Sequence, residues 1–115
     1  MIIRKQQLTF LNEHQAATYE LRLTRFLREQ FPEAAEVDAA ELRPAVAAQI
    51  CKGRAYGCED EQDAAAYVIT AWLLGTDFDA RFPAARDVLA SSLSGKMKAR
   101  FLEEWTKEMF QELEH

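Results

Sequence analysis

YGCEDEQDAAAYVITAWLLG, residues 56–75, decides how this chain is organised. Asp60 stands where a helix N-cap is favoured, and Asp63 adds negative charge to a first turn, where the helix dipole stabilises it. The apolar run over residues 64–74 is much shorter than the ~20 residues needed to span a bilayer, and a glycine stops it. We therefore predict a central helix that is apolar on all sides because other helices surround it.

Upstream of this segment, the sequence predicts a long first helix. No glycine or proline occurs from Arg4 to Gln30. Phe31-Pro32 ends the helix, because proline lacks an N–H donor and restricts the residue before it. The positions near helical spacing are Leu8, Leu11, Tyr19, Leu23, Phe26, Leu27 and Gln30.

A second helix is predicted to begin at Asp38, with Glu41 three residues later and Pro44 in its first turn. Gly57 follows the last residue of the pattern and is expected to be a left-handed C-terminal cap. The apolar face consists of Leu42, Val46 and Ile50.

After the central helix, residues 76–83 (TDFDARFP) are predicted to form a loop with Phe78 and Phe82 turned inward. The proline at the end of this stretch is compatible with a helix start. A short helix through Val88 and Leu89 follows.

The last helix is predicted to begin at Ser92 or Ser94 and to reach about Glu112. Its buried stripe is expected to consist of Met97, Phe101, Leu102, Trp105 and Met109. No stretch alternates as a strand would. The sequence thus predicts an all-α fold, a compact single-domain bundle of about five helices over residues 1–112, with a long N-terminal helix and a buried central helix.

Composition indicates a globular protein that binds other proteins. The chain has 115 residues, of which 49% are hydrophobic and 29% charged, which suits one domain with its own core. A net charge of -5 and a pI of about 5.0 oppose a general affinity for nucleic acid. The second half is the acidic one, since residues 58–115 carry twelve Asp/Glu against six Lys/Arg.

The two ends of the sequence give an expectation about location. MIIRKQQLTF, residues 1–10, lacks the apolar core and cleavage site of a signal peptide. We therefore expect a cytoplasmic protein without a membrane partner. Leu113, Glu114 and His115 match the start of a vector-encoded histidine tag and are left out of functional reasoning.

The sequence predicts no catalytic residue, cofactor or metal site. Cys51 and Cys58 are too far apart for a CxxC pair, and free thiols are favoured over a disulfide. The acidic residues after Cys58 lack the order of a calcium-binding loop. His14 has no metal-binding pattern around it, and Ser91, Ser92 and Ser94 lack a nucleophile elbow. A hydrolase that uses two of the carboxylates is the alternative from another class.

Two groups of residues are candidates for contact with another protein. Arg22, Arg25 and Arg28 recur every third residue and offer planar donors to an acidic partner or phosphate, or else form a solvated face. Aromatic residues are abundant for a small core, so some of them could serve as interface anchors.

The order of these features resembles small all-helical accessory proteins encoded in bacterial type VI secretion effector loci. The resemblance lies in a long helix that ends in FP, in an AYG with an acidic helix start, and in LLGTDFDARFP. The matching residues are Tyr56, Gly57, Glu61, Asp63, Tyr67, Val68, Gly75, Phe78 and Asp79. This chain has Cys58 where an aliphatic residue is usual, a small change if the position is buried.

The resemblance implies a non-catalytic adaptor or co-chaperone that binds a secretion effector or its loading chaperone. The alternative is an immunity protein that neutralises a toxin by direct binding. A homodimer through the first helix is left open. The partner-binding residues predicted on this basis are Tyr56, Asp77, Phe78, Asp79, Arg81 and Phe82 in the two loops, with Arg22 and Arg25 as a second patch.

Overall fold

The computed structural model describes residues 19–114, with side chains through residue 111. This part of the chain contains seven helices and no strand, so the all-α prediction is confirmed. Helix α1 covers residues 19–30 in the described part of the chain. The other helices are α2 (Pro32–Ala35), α3 (Ala39–Ala55), α4 (Glu61–Leu74), α5 (Phe78–Arg81), α6 (Pro83–Leu89) and α7 (Gly95–Glu114).

The five predicted helices correspond to α1, α3, α4, α6 and α7, and two single turns were missed. Both have four residues: α5 lies in the stretch predicted to be a loop, and α2 follows Phe31-Pro32, where the first helix was predicted to end. The chain divides between Ala47 and Ala48 into two compact units, and this boundary lies inside the continuous helix α3. A single domain over residues 1–112 stays a prediction, and residues 4–18 of the predicted first helix lie outside the described part.

In the first unit, α1 buries three of the residues that were predicted to recur at helical spacing. Tyr19, Leu23 and Leu27 are buried, because their spacing of four residues keeps them on one face. Phe26 is 41% exposed and Gln30 is also exposed, so their assignment to this face was wrong.

Helix α3 begins as predicted, but its proline lies deeper than expected. The Asp38 carboxylate accepts from the Ala40 N–H at 3.1 Å, and its carbonyl accepts from Glu41 and Leu42. Pro44 is therefore the sixth residue of the helix, in the second turn rather than the first. Having no N–H, it leaves the Ala40 carbonyl without its usual helical donor.

Helix α4 is the buried central helix that the sequence predicts. Half of its fourteen residues are buried, and Tyr67 and Ala71 join a core with residues from α5, α6 and α7. Asp60 occupies the N-cap position, but its side chain makes no cap hydrogen bond and instead accepts from the Lys96 ammonium at 3.0 Å. The N-cap position of Asp60 was thus predicted correctly, but the prediction that its side chain caps the helix was wrong.

Helix α7 starts after Ser94, whose hydroxyl accepts from the Met97 N–H at 3.3 Å. Leu102 is fully buried, whereas Met97 is 48% exposed and does not belong to the buried stripe. Lys98 and Thr106 are buried instead. The predicted stripe was therefore correct at its centre and wrong at its beginning.

Helix α3 ends in a Schellman motif. The Cys58 N–H donates to the Gly53 carbonyl at 2.8 Å, and the Gly57 N–H donates to the Arg54 carbonyl at 2.9 Å. Gly57 has a φ of 100°, a conformation that side chains disfavour. The predicted glycine cap is confirmed.

The start of α7 lies directly against this cap. A β-carbon added to Gly95 would lie 2.5 Å from the Gly57 carbonyl carbon and would overlap its oxygen. The ammonium of Lys98 donates to the Tyr56 carbonyl at 3.0 Å, where positive charge suits the C-terminal end of α3. Gly95 is thus required by packing between two backbones.

We predict that Gly95→Ala destabilises the protein by about 3 kcal/mol or more, because relief of the overlap must move α7 away from the α3 cap. Urea unfolding followed by circular dichroism measures the change. Ser92→Ala, at an exposed position three residues earlier, is the control and should change the free energy of unfolding by less than about 0.5 kcal/mol. Equal stabilities for the two variants would contradict the packing requirement.

Candidate partner-binding site

The predicted loop residues are organised around Asp79, which is held in place by Lys52 of α3 and by Tyr56, the residue that follows α3. Lys52 donates to Oδ1 of Asp79 at 3.0 Å and to the Thr76 carbonyl at 2.8 Å. The Tyr56 hydroxyl donates to Oδ2 at 2.7 Å. The Asp79 side chain is only 12% exposed, so its carboxylate is used inside the protein and presents little surface to a partner.

These contacts shift two pKa values in opposite directions. Burial by itself would raise the pKa of Asp79, but the hydrogen bonds from Tyr56 and Lys52 and the charge of Lys52 outweigh it and hold the pKa below its ordinary value. The pKa of Tyr56 is raised, first by its hydrogen bond to Asp79 and then by burial. Both shifts favour an ionised Asp79 that accepts from a neutral Tyr56.

A stack of aromatic rings lies beneath this network. The Tyr67 ring lies 5.9 Å from the ring of Tyr56 and 5.0 Å from that of Phe78. Tyr67 and Phe78 are fully buried. Burial raises the pKa of Tyr67, and its hydroxyl has no hydrogen-bond partner among the described residues. Phe78 therefore packs in the core, and the structure presents none of its surface to a partner.

The surface of the loop is formed by Asp77 and Arg81. Their side chains are 62% and 59% exposed and form an ion pair of 3.6 Å. The Arg81 guanidinium also lies 5.5 Å from the centre of the Phe82 ring, and Phe82 packs edge-on against Trp105 at 5.4 Å. Phe82 is half-buried, so it contributes an edge of apolar surface beside the two charges.

The second predicted patch lies on α1 and extends onto α3. Arg25 and Arg28, which are exposed, line a groove of about 470 Å³ in the first unit. Arg22 is exposed but is not one of the lining residues. Sequence reasoning missed the rest of the groove, which consists of Leu21, Thr24, Glu29, Ala35, Ala39, Ala40 and Arg43. These residues could not be predicted to line a groove, because they do so only when the N-terminus of α3 lies beside α1. No local sequence pattern encodes that placement.

The two cysteines and the acidic residues were also considered as redox or metal-binding groups. Cys58 is fully buried, and burial followed by the charge of Asp63 raises the pKa of its thiol. Cys51 is exposed, and both cysteines are free. Within residues 19–114, no three His, Cys, Asp or Glu side chains are grouped so that they could hold a metal ion. His14 lies outside the described residues.

No helix in the described part of the chain is both long and apolar enough to cross a membrane. Comparison of the chain with protein-family models, with curated proteins and with solved structures gave no match.

We predict that Asp79→Asn lowers the free energy of unfolding by about 1–2 kcal/mol at neutral pH, because two charge-assisted hydrogen bonds are weakened. The pKa of Asp79 is lower in the folded protein, so its contribution is complete above the unfolded value of about 3.9 and is lost as the pH falls through the folded value. The difference from wild type should therefore be constant from about pH 5 to pH 8 and shrink below about pH 4.

Urea unfolding at a series of pH values measures this difference. Asp87→Asn is the control, since the Asp87 side chain is 73% exposed and its contact with Arg86 should contribute little. A difference for Asp79→Asn that persists unchanged to the lowest pH would contradict the role of its charge.

Proposed function

We propose that this chain is a non-catalytic, cytoplasmic protein-binding module of a type VI secretion locus, acting as an effector adaptor or co-chaperone. The proposal starts from the resemblance, which spans most of residues 1–90 and has its matching residues between Tyr56 and Asp79. Six of the matching residues join one structural network: Tyr56, Gly57, Tyr67, Gly75, Phe78 and Asp79. Their close association supports the view that the shared pattern marks a shared scaffold.

The observation that carries the proposal is the exposed ion pair of Asp77 and Arg81 on a firmly held segment. Gly75 has a φ of 107° and accepts from the Phe78 N–H at 3.1 Å, which fixes the turn before α5. Asp79 and Phe78 then tie α5 to α3 and α4. A segment already held in one conformation loses little entropy on binding, which favours its use as a contact surface.

Exposed acids support the alternative, an immunity protein. The side chains of Asp60, Asp77 and Asp87 are 63%, 62% and 73% exposed, and they belong to the acidic second half of the chain. Such a surface would be attracted to the basic cleft of a nuclease-like toxin. In this case the chain would block its partner rather than deliver it.

We predict that the double variant Asp77→Arg with Arg81→Asp strongly reduces recovery of the partner. The swap preserves an ion pair across the same turn while reversing the charges that a partner meets. The measurement is affinity purification of the full chain from cells expressing its own genetic locus, followed by mass spectrometry and light scattering. Wild type should recover an effector or loading chaperone in stoichiometric amount, and the variant at least about tenfold less.

Arg86→Asp with Asp87→Arg is the matched control, because it swaps an exposed pair elsewhere in the same unit and should leave recovery unchanged. Failure of wild type to recover any protein of the locus would overturn the adaptor proposal. Survival of cells that express the toxin together with this chain alone would favour the immunity protein over the carrier.

A further inference from the structure

The groove of the first unit combines an apolar floor with a charged rim. Its floor includes Ala35, Ala39 and Ala40, which have no polar side-chain atoms, and Leu21, which is 44% exposed. Ala35 belongs to α2, Ala39 and Ala40 belong to the first turn of α3, and Leu21 belongs to α1. Burial of this apolar surface by a partner would stabilise a complex.

The charged residues that line the groove, here called the rim, carry net positive charge, whereas the chain carries net negative charge. Three arginines and one glutamate line the groove, whereas the net charge of the whole chain is -5. This local excess of positive charge would attract an acidic partner even though the chain as a whole carries net negative charge.

Two of the arginines keep donors free for a partner. No described residue forms an ion pair or a hydrogen bond with Arg25, and Arg28 has only a 3.4 Å hydrogen bond to the Ala35 carbonyl. Arg43 differs, because its Nε donates to the Glu20 carboxylate at 2.9 Å. Planar guanidinium groups with unused N–H donors are well suited to bind carboxylates in a bidentate manner.

We propose that this groove binds an acidic amphipathic helical segment of another protein. Aliphatic side chains of the segment lie on the alanine and leucine floor, and carboxylates one turn away pair with Arg25 and Arg28. A bare phosphate would leave the apolar floor exposed, and a polyanion such as nucleic acid would meet the negative charge of the remaining surface. A groove of about 470 Å³ accommodates the apolar face of such a helix.

The proposal is tested with a defined peptide and the full chain. The probe is a fluorescein-labelled helical peptide of about 16 residues, with leucines along one face and glutamates flanking them. One control peptide has every glutamate replaced by glutamine, and a second has the same composition in scrambled order. Fluorescence anisotropy should detect saturable binding of the probe and at least about tenfold weaker binding of both controls.

Variants of the protein identify the surface. Arg25→Glu with Arg28→Glu should weaken probe binding at least about tenfold. Arg86→Glu with Arg100→Glu makes the same change in net charge at exposed positions that do not line the groove and should leave binding nearly unchanged. Leu21→Gln should weaken binding without changing the charge. Circular dichroism melting curves confirm that each variant is folded.

Several results would overturn the proposal. These are no saturable binding up to about 1 mM peptide, equal binding of the probe and its glutamine control, and equal loss in the groove and control variants. Competition by millimolar inorganic phosphate would assign the groove to a phosphate ligand. A dimer seen by light scattering that dissociates in Arg25→Glu with Arg28→Glu would assign it to a second copy of the chain.

This inference is independent of the secretion-locus proposal. Peptide binding without recovery of a locus protein would retain the groove and remove the adaptor role. Recovery of a locus protein that depends on Asp77 and Arg81, without peptide binding, would support the adaptor role and overturn the groove proposal.

Discussion

The close approach of Gly95 to Gly57 is the constraint on which the second unit depends. It places the first turn of α7 against the end of α3, where Lys98 reaches the Tyr56 carbonyl. The Cys58 thiol is enclosed at the same point, 3.8 Å from the Gly95 carbonyl. Tyr56 is thereby fixed from its backbone side, and its hydroxyl remains directed at Asp79. Tyr56 therefore connects the helix junction to the loop that contains Asp79.

The sequence predicts those parts of the fold that rest on local chemistry. The glycine cap at Gly57, the N-cap at Asp38 and the helix start after Ser94 each follow from the conformational or hydrogen-bonding preference of one residue. The errors occur where a contact with a residue far away in sequence determines which side chain is buried. Lys98 is buried and Met97 is exposed, because the Tyr56 carbonyl supplies a partner for the Lys98 ammonium group, and helical periodicity contains no information about that carbonyl.

The candidate site shows the same division between local features, which could be predicted from the sequence, and long-range contacts, which could not. Asp79 was predicted to contact a partner, but its donors Lys52 and Tyr56 precede it by 27 and 23 residues in sequence, so its internal role could not be read from local spacing. In the groove, the arginines of α1 were recognised from their spacing. The alanines beneath them gave no signal, because a small residue becomes part of a binding surface only when a second helix is placed beside it.

The two candidate surfaces together bear on the choice between an adaptor and an inhibitor. The loop around Asp77 belongs to an acidic half of the chain, whereas the groove around Arg25 has more arginines than acids. The loop presents one exposed acid paired with one exposed arginine, whereas the groove presents three arginines and one glutamate, so the two surfaces would prefer partners of different charge. An inhibitor needs only one surface that fits its toxin. A protein that joins an effector to its chaperone uses two surfaces with different preferences, so the adaptor that we propose would have a use for both the loop and the groove.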